Sequence, residues 1–327
     1  MKRFSLVAAL AMICFGITFY WMATAVHDRV LAESQRTLTT RAQFLAHQLD
    51  RTMQQRMVQT FTFAAFPSLR GVATADEATR SARMAIAYSE LQAWVAADPN
   101  VRAVSIVNSL GIVILATDAT INTNWGERVF VRQALAGQLY VSPPVREWGE
   151  LSQYYSAPII NNLGEVAGAL IVRVDAQELW SVLETSNDVM LIDENGVQIA
   201  NRATMPSLFV ALSPLAAEVR ARVLAEKQYG AEITQIGAIN LSDLATAIKR
   251  GQAAFVVYRD AQAQTWHAAI YRMKTKPWTV VVVVSEETQM TPARDAIVDQ
   301  FALAIIVAVL VAGTLNVAWF ILKREPQ

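Results

Sequence analysis

The sequence predicts an α+β protein: a long N-terminal helix followed by two antiparallel-sheet modules, set between two transmembrane helices. Three observations predict it. Phe4–Ala25 and Phe301–Leu322 are uncharged apolar runs of 22 residues each, against the roughly 20 needed to cross a bilayer core as a helix. From Asp28 to Phe66 neither proline nor glycine interrupts apolar residues recurring at helical spacing. Beyond Asp98-Pro99-Asn100 the apolar period changes from 3.6 to 2, and one order of hairpin and returning strands occurs twice.

The apolar ends account for the composition. Of 327 residues 54% are hydrophobic and 17% charged, against about a quarter charged in an average soluble domain. Lys and Arg (28) balance Asp and Glu (28), which removes the electrostatic attraction that dominates nucleic-acid binding. A single cysteine, Cys14, excludes a disulfide framework. The scattered His27, His47 and His267 make no zinc-ligand pair, so no metal or cofactor is implied.

Lys2-Arg3 before the first run and Lys323-Arg324 after the second place both ends in the cytoplasm. Tyr20 and Trp21 suit one membrane interface and Trp319 the other. A cleaved signal peptide ending at Ala23-Thr24-Ala25 is the alternative for the N-terminus. Either way the middle of the chain faces outward, from a bacterial inner membrane. Asn316, within the second run, suits a hydrogen bond between packed helices.

The elements divide the chain into a first span (1–26), a stalk helix (27–70), a first module (71–185), a second module (186–296), a second span (297–322) and a short tail (323–327). On the stalk, Leu31, Leu38 and Leu45 are seven apart, as are Ala42 and Leu49. That stripe fits packing on the chain's own modules or a homodimer through the stalk. Pro67 ends the stalk, and a second helix follows over 75–96. In the first module, strands are expected at 101–107, 112–116, 139–142, 154–159 and 166–174. In the second, they are expected at 189–193, 197–200, 253–258, 265–271 and 278–285, with a helix over 214–227. Asp193-Glu194-Asn195-Gly196 reads as a hairpin turn; it lacks the spaced acidic ligands of a calcium loop. Trp266, His267 and Trp278 read as core and sheet-face residues.

The chemistry that stands out is anion recognition in the first module. A guanidinium offers a permanently charged planar fork that matches a carboxylate. Arg128 and Arg132, four apart, share a helix face. Tyr140, Ser142, Tyr154 and Ser156 bring hydroxyls on strands, with Tyr154 and Ser156 on one face and Tyr155 on the other. The plainer alternative is a solvated Arg132 with Arg128 bridging to Glu127 or Asp118. Arg146 and Trp148, in the glycine-containing loop before Tyr154, form either a lid or an ordinary surface loop.

Several phrases resemble the double Cache family of bacterial extracytoplasmic sensors, tandem PAS-like modules between two membrane helices. They are Ile106–Ile114, Arg128–Gly137, Tyr155–Ile159 and Gly164–Asp175 in the first module, with Val189–Ala200 and Lys276–Val281 in the second. The first module is similar to those of C4-dicarboxylate and related carboxylate sensor kinases, where an R-x-[YF] helix start holds an anion. The resemblance maps that motif to Arg128 and Phe130, with Val131 in place of a second common aromatic. It also implies a second module that transmits rather than binds. Asp175 falls near an aspartate that holds the ligand amine in amino-acid sensors of the family, or it caps the following helix. The arginine and tryptophan-tyrosine signature of those amino-acid sensors is not apparent, which favours a small organic anion.

No Walker loop, nucleophile elbow or dinucleotide fingerprint is present, so an enzyme is not expected. Family members normally continue into HAMP and kinase, cyclase or chemotaxis regions, and here the chain ends five residues after the second run. The expected function is a membrane-anchored sensor of a small carboxylate that signals through a separate partner. The alternatives are a protein-binding scaffold without a small ligand, which an arginine pocket filled by its own side chains would favour, and a shortened sensor kinase or chemoreceptor.

Overall fold

The computed structural model describes residues 2–183, 189–201, 208–251 and 253–291, together with 295, 298, 299, 301, 302, 305 and 306. One 63-residue helix, α1 (Lys2–Ala64), takes in both the first apolar run and the predicted stalk. Pro67 follows its end and opens α2 (Pro67–Thr74), where the missing N–H leaves no helical bond unmade. The carboxylate of Asp76 accepts the Thr79 N–H at 2.9 Å and so starts α3 (Glu77–Ala97). Among the described residues no helix is long and apolar enough to cross a membrane. Most of the second apolar run, Asn316 included, lies outside the described residues.

The first module is a six-stranded antiparallel sheet. Its strands are β1 (Val101–Asn108), β2 (Val113–Ala116), β3 (Tyr140–Val141), β4 (Val145–Glu147), β5 (Glu150–Ile160) and β6 (Val166–Asp175). They lie in the order β2-β1-β6-β5-β3, with β4 also on β5. Helix α4 (Val129–Leu135) covers one face, and α5 (Gln177–Ser181) follows β6.

The second sheet repeats the plan. It contains β7 (Val189–Ile192), β8 (Val197–Asn201), β9 (Val210–Ala211), β10 (Ala254–Arg259), β11 (Thr265–Arg272) and β12 (Thr279–Ser285), in the order β10-β11-β12-β7-β8-β9. In both sheets the first strand pairs with the last, the hairpin partner lies outside the first, and the penultimate strand lies outside the last. Helices α6 (Ala217–Ala225) and α7 (Ser242–Lys249) lie between β9 and β10 in sequence. The strand boundaries fall within one residue of those expected, except that β5 begins four residues early, at Glu150. The sequence reading lacked α2, β4, β9 and α7, all of eight residues or fewer.

Strand alternation divides the apolar residues between two faces of each sheet. Tyr155, Ala157, Leu170 and Val172 from the first sheet and Ala269, Val280 and Val282 from the second join one core with Ala42, Leu45, Leu49 and Met53 of α1. The opposite face of the first sheet, with Tyr154, Ala169 and Ile171, packs on Phe130, Val131 and Ala134 of α4. The opposite face of the second, with Ile192, Ala268, Ile270 and Val281, packs on Leu244, Ala245 and Ala247 of α7. The seven-residue stripe from Leu38 to Leu49 is therefore buried within the chain itself.

Polar contacts fix α1 to both modules. Asp50 accepts the backbone N–H of Lys274 at 3.0 Å and of Thr275 at 2.7 Å, at the β11–β12 connection. Six residues on, Arg56 pairs with Asp98 at 2.5 Å and with Glu178 at 2.6 Å. Desolvation opposes the Arg56 charge, and its bonds to Glu178 and Asp98 outweigh that and raise its pKa. Arg56 in turn holds the Asp98 carboxyl below the usual range.

One turn recurs four times. Asn108, Asn161, Asp193 and Asp260 each use Oδ1 to accept the N–H groups two and four residues on. The residue three positions on takes a positive φ in every case, as Gly111, Gly164, Gly196 and Ala263. The Asp193 segment is accordingly a hairpin turn.

Candidate ligand-binding site

Arg128 stands immediately before α4, in extended conformation, and its side chain is 17% exposed. It pairs with Glu147, at the end of β4, rather than with Glu127 or Asp118. The phenol of Tyr154 donates to the other Glu147 oxygen, Oε2, at 2.9 Å. Phe130 stacks on Tyr154 with ring centroids 4.3 Å apart and planes 2° from parallel. Trp125 meets both rings edge-on. Burial lowers the Arg128 pKa and raises that of Tyr154; the guanidinium keeps its charge.

The residues before Tyr154 are a strand hairpin, not the loop expected. Glu147 pairs with Glu150 across Trp148 and Gly149, whose φ values are 54° and 75°. Positive φ at both central residues makes a tight primed turn, where asparagine and glycine are the usual residues. Trp148 holds this unusual conformation while 62% exposed, its ring 5.3 Å from the Arg173 guanidinium. Arg173 lies opposite Tyr154 on β6 and pairs with Asp118 at 3.5 Å. The site thus holds two arginines, each matched by an internal carboxylate.

The second module supplies the far wall. The Arg146 N–H donates to the Tyr229 carbonyl at 2.8 Å, and Glu232 accepts the Gly149 N–H at 3.0 Å. Residues 226–228 close over Arg128, Phe130, Tyr140 and Ser142, leaving a cavity of about 10 Å³. That holds no more than about one water molecule. Lys276 lies over the Tyr140 ring at 4.0 Å, and burial lowers its pKa.

Of the residues singled out from sequence, Arg128, Phe130, Tyr140, Ser142, Arg146, Trp148, Tyr154 and Ser156 converge here. Two hydroxyls among them are occupied by backbone: Ser142 Oγ donates to Pro143 O at 2.7 Å, and Ser156 Oγ to Phe130 O at 2.7 Å. Arg132 turns outward to Glu226 at 2.9 Å. Asp175 lies apart, paired with Arg102 and accepting the Gln177 N–H at 2.8 Å, which is the capping alternative. Glu147 and Arg173 were missed. Arg173 carried a signal, since Ala169, Ile171 and Arg173 alternate onto one face and place a charge in an apolar row. Glu147 carried none, because three-residue β4 is too short to show a period.

Two equivalent sheets on one helix, with a closed arginine site at their junction, define a tandem sensory domain. The Cache domain family model (dCache_1) matches residues 22–293, and the chain belongs to the double Cache family. Members are non-enzymatic ligand-binding sensor domains, and this chain is such a sensor domain. Among solved structures it is similar to the histidine kinase DctB sensor domain of V. cholerae, at 14% identity and TM-score 0.62 over 77% of this chain and 99% of that one. It is also similar to the extracellular domain of the putative histidine kinase rpHK1S-Z16, at 16% identity and TM-score 0.56 over 80% and 98%. The ligand-binding domain of Campylobacter jejuni chemoreceptor Tlp3, in complex with 4-methylisoleucine, matches at 14% identity and TM-score 0.53 over 79% and 94%. A comparison with curated protein sequences finds no match.

Proposed function

We propose that the chain is a membrane-anchored extracytoplasmic sensor that takes a small organic carboxylate at Arg128 and signals through a separate protein. The observation that carries this reading is the Arg128–Glu147 pair. A buried arginine already matched by a carboxylate is suited to exchange that internal anion for a ligand's. Glu147 ends the short β4, whose only strand partner among the described residues is β5, and the adjoining Arg146 is bonded to the second module. Exchange at Arg128 would free this hairpin and shift its bond to Tyr229. The motion would pass to the second sheet and α1, by no more than the ligand's preference for one state over the other permits.

Anchoring is supported by the uncharged run Phe4–Ala25 and by Ile17, Tyr20, Trp21 and Met22, which α1 leaves exposed. In that arrangement the first module is membrane-distal and the second membrane-proximal. Phe44, Val58 and Phe61, exposed on α1, suit a homodimer through the stalk. The filled cavity also favours a second reading, a scaffold that binds another protein and no small ligand.

A thermal-shift panel on the full chain separates the two. C4-dicarboxylates, short monocarboxylates, amino acids, polyamines and purines would be tested against the wild type and Arg128→Ala. A ligand at 100 times its Kd stabilises by about 2.7 kcal/mol, a shift of several degrees. A carboxylate shift lost in Arg128→Ala supports the sensor reading. A flat panel on folded protein supports the scaffold.

A further inference from the structure

The second module has a cavity far larger than the closed one at Arg128. It lies on the α7 face of the second sheet, equivalent to the α4 face of the first, and measures about 360 Å³. That is within the roughly 300–1,000 Å³ of small-molecule sites. Leu212, Leu215, Val219 and Ile248 make its walls apolar. Lys249, from the last turn of α7, and Arg272, from the end of β11, line it as well. Strand alternation brings Arg272 to this face with Ala268 and Ile270, opposite Thr279.

The charges are unequally satisfied. Asp193 and Glu194 also line the cavity, but their oxygens are engaged inside the protein. Asp193 accepts the N–H of Asn195 and Val197 and the Tyr229 hydroxyl. Glu194 accepts Trp278 Nε1 at 2.9 Å and Gln228 Nε2 at 3.2 Å. None of these four charges has an ion-pair partner among the described residues, but Lys249 and Arg272, unlike the two carboxylates, also lack a side-chain hydrogen bond there. The charged groups left free to meet a ligand are therefore the two cations, and Leu212, Leu215, Val219 and Ile248 give the cavity an apolar side in addition to its polar hairpin and Ser213.

We propose that this cavity is a second ligand site, which takes a short aliphatic carboxylate with its head at Lys249 and Arg272 and its tail against Leu215, Val219 and Ile248. Binding there bridges α7, the Asp193 hairpin and β11, and so bears on the second sheet without passing through Arg128.

The test is titration of the full chain in lipid nanodiscs with hexanoate, using hexylammonium as the charge control and empty nanodiscs as the partition control. Methyl NMR shifts of Leu215, Val219 and Ile248 locate the site. Saturable hexanoate binding is expected, with shifts at those methyls and none with hexylammonium. Lys249→Ala combined with Arg272→Ala, both exposed positions, is expected to weaken it at least tenfold while leaving the thermal midpoint in place. Arg128→Ala is expected to leave it unchanged, which keeps the result independent of the first-module reading. Absence of saturable binding to folded protein, equal affinity in the double variant, or loss in Arg128→Ala would overturn the proposal.

Discussion

Gly230 packs directly against the backbone of Arg146, where the two modules meet. Its φ is +106°, and a Cβ there would run into the Arg146 carbonyl oxygen, carbon and nitrogen. The adjoining Arg146 N–H to Tyr229 carbonyl bond joins the β4–β5 hairpin to the second module. Only a residue without a side chain allows this approach.

Gly230→Ala is therefore expected to destabilise the chain by about 2–4 kcal/mol, through backbone strain and overpacking together. Urea denaturation of the variant measures it. A loss under about 0.5 kcal/mol, the range of ordinary surface changes, would show that the modules can separate there without penalty.

Ala263 is the exception among the four equivalent turns. At φ 61° it occupies the position that glycine fills in the other three. A left-handed conformation costs an L-residue about 1–2 kcal/mol, and glycine's greater freedom in the unfolded chain offsets about 0.5–1 kcal/mol. Ala263→Gly should stabilise by a few tenths to about 1 kcal/mol, seen as a higher denaturant midpoint. The reverse change at Gly196, which has open space for a Cβ, should destabilise by a similar amount. Changes of opposite sign at either position would refute the shared turn.

These turns also show what was legible in the sequence. Asx-x-x-Gly stands between alternating apolar runs at Asn108–Gly111, Asn161–Gly164 and Asp193–Gly196 and marks the β1–β2, β5–β6 and β7–β8 hairpins, because local bonding from one side chain sets each turn. The Asp260 turn lacks the glycine, so the pattern does not mark it, though Asp260 also accepts Trp266 Nε1 at 2.9 Å. In the site, Arg128 and Tyr154 were legible from residue type and alternation. The partner of Arg128 was not, since Glu147 reaches it through a fold contact that no local spacing encodes. The closing segment 226–230 belongs to the other module, and its approach depends on the packing of two sheets.

Asp193 makes stability depend on pH. Burial, reinforced by the nearby Glu194, pushes its carboxyl up to about 7, against about 3.9 unfolded. The folded state thus holds a proton between about pH 4 and 7 that the unfolded state has released. Stability from this group is fully present below pH 4 and is lost as pH rises through 7, with a slope approaching 1.4 kcal/mol per pH unit. Asn108 and Asn161 make the same turn with an amide, so Asp193→Asn should fold and lack that slope. Parallel stability curves for wild type and variant across pH 4–7 would contradict the assignment.

The Arg128–Glu147 exchange is tested most directly by titrating wild type, Glu147→Gln and Arg128→Ala with succinate, fumarate and malate by calorimetry. Glutamine can still accept the Tyr154 hydroxyl and removes the competing charge. At least one of these carboxylates is expected to bind Glu147→Gln about tenfold more tightly than wild type, a gain of about 1.4 kcal/mol, and Arg128→Ala is expected to bind none. No gain in Glu147→Gln, or binding retained in Arg128→Ala, would contradict it.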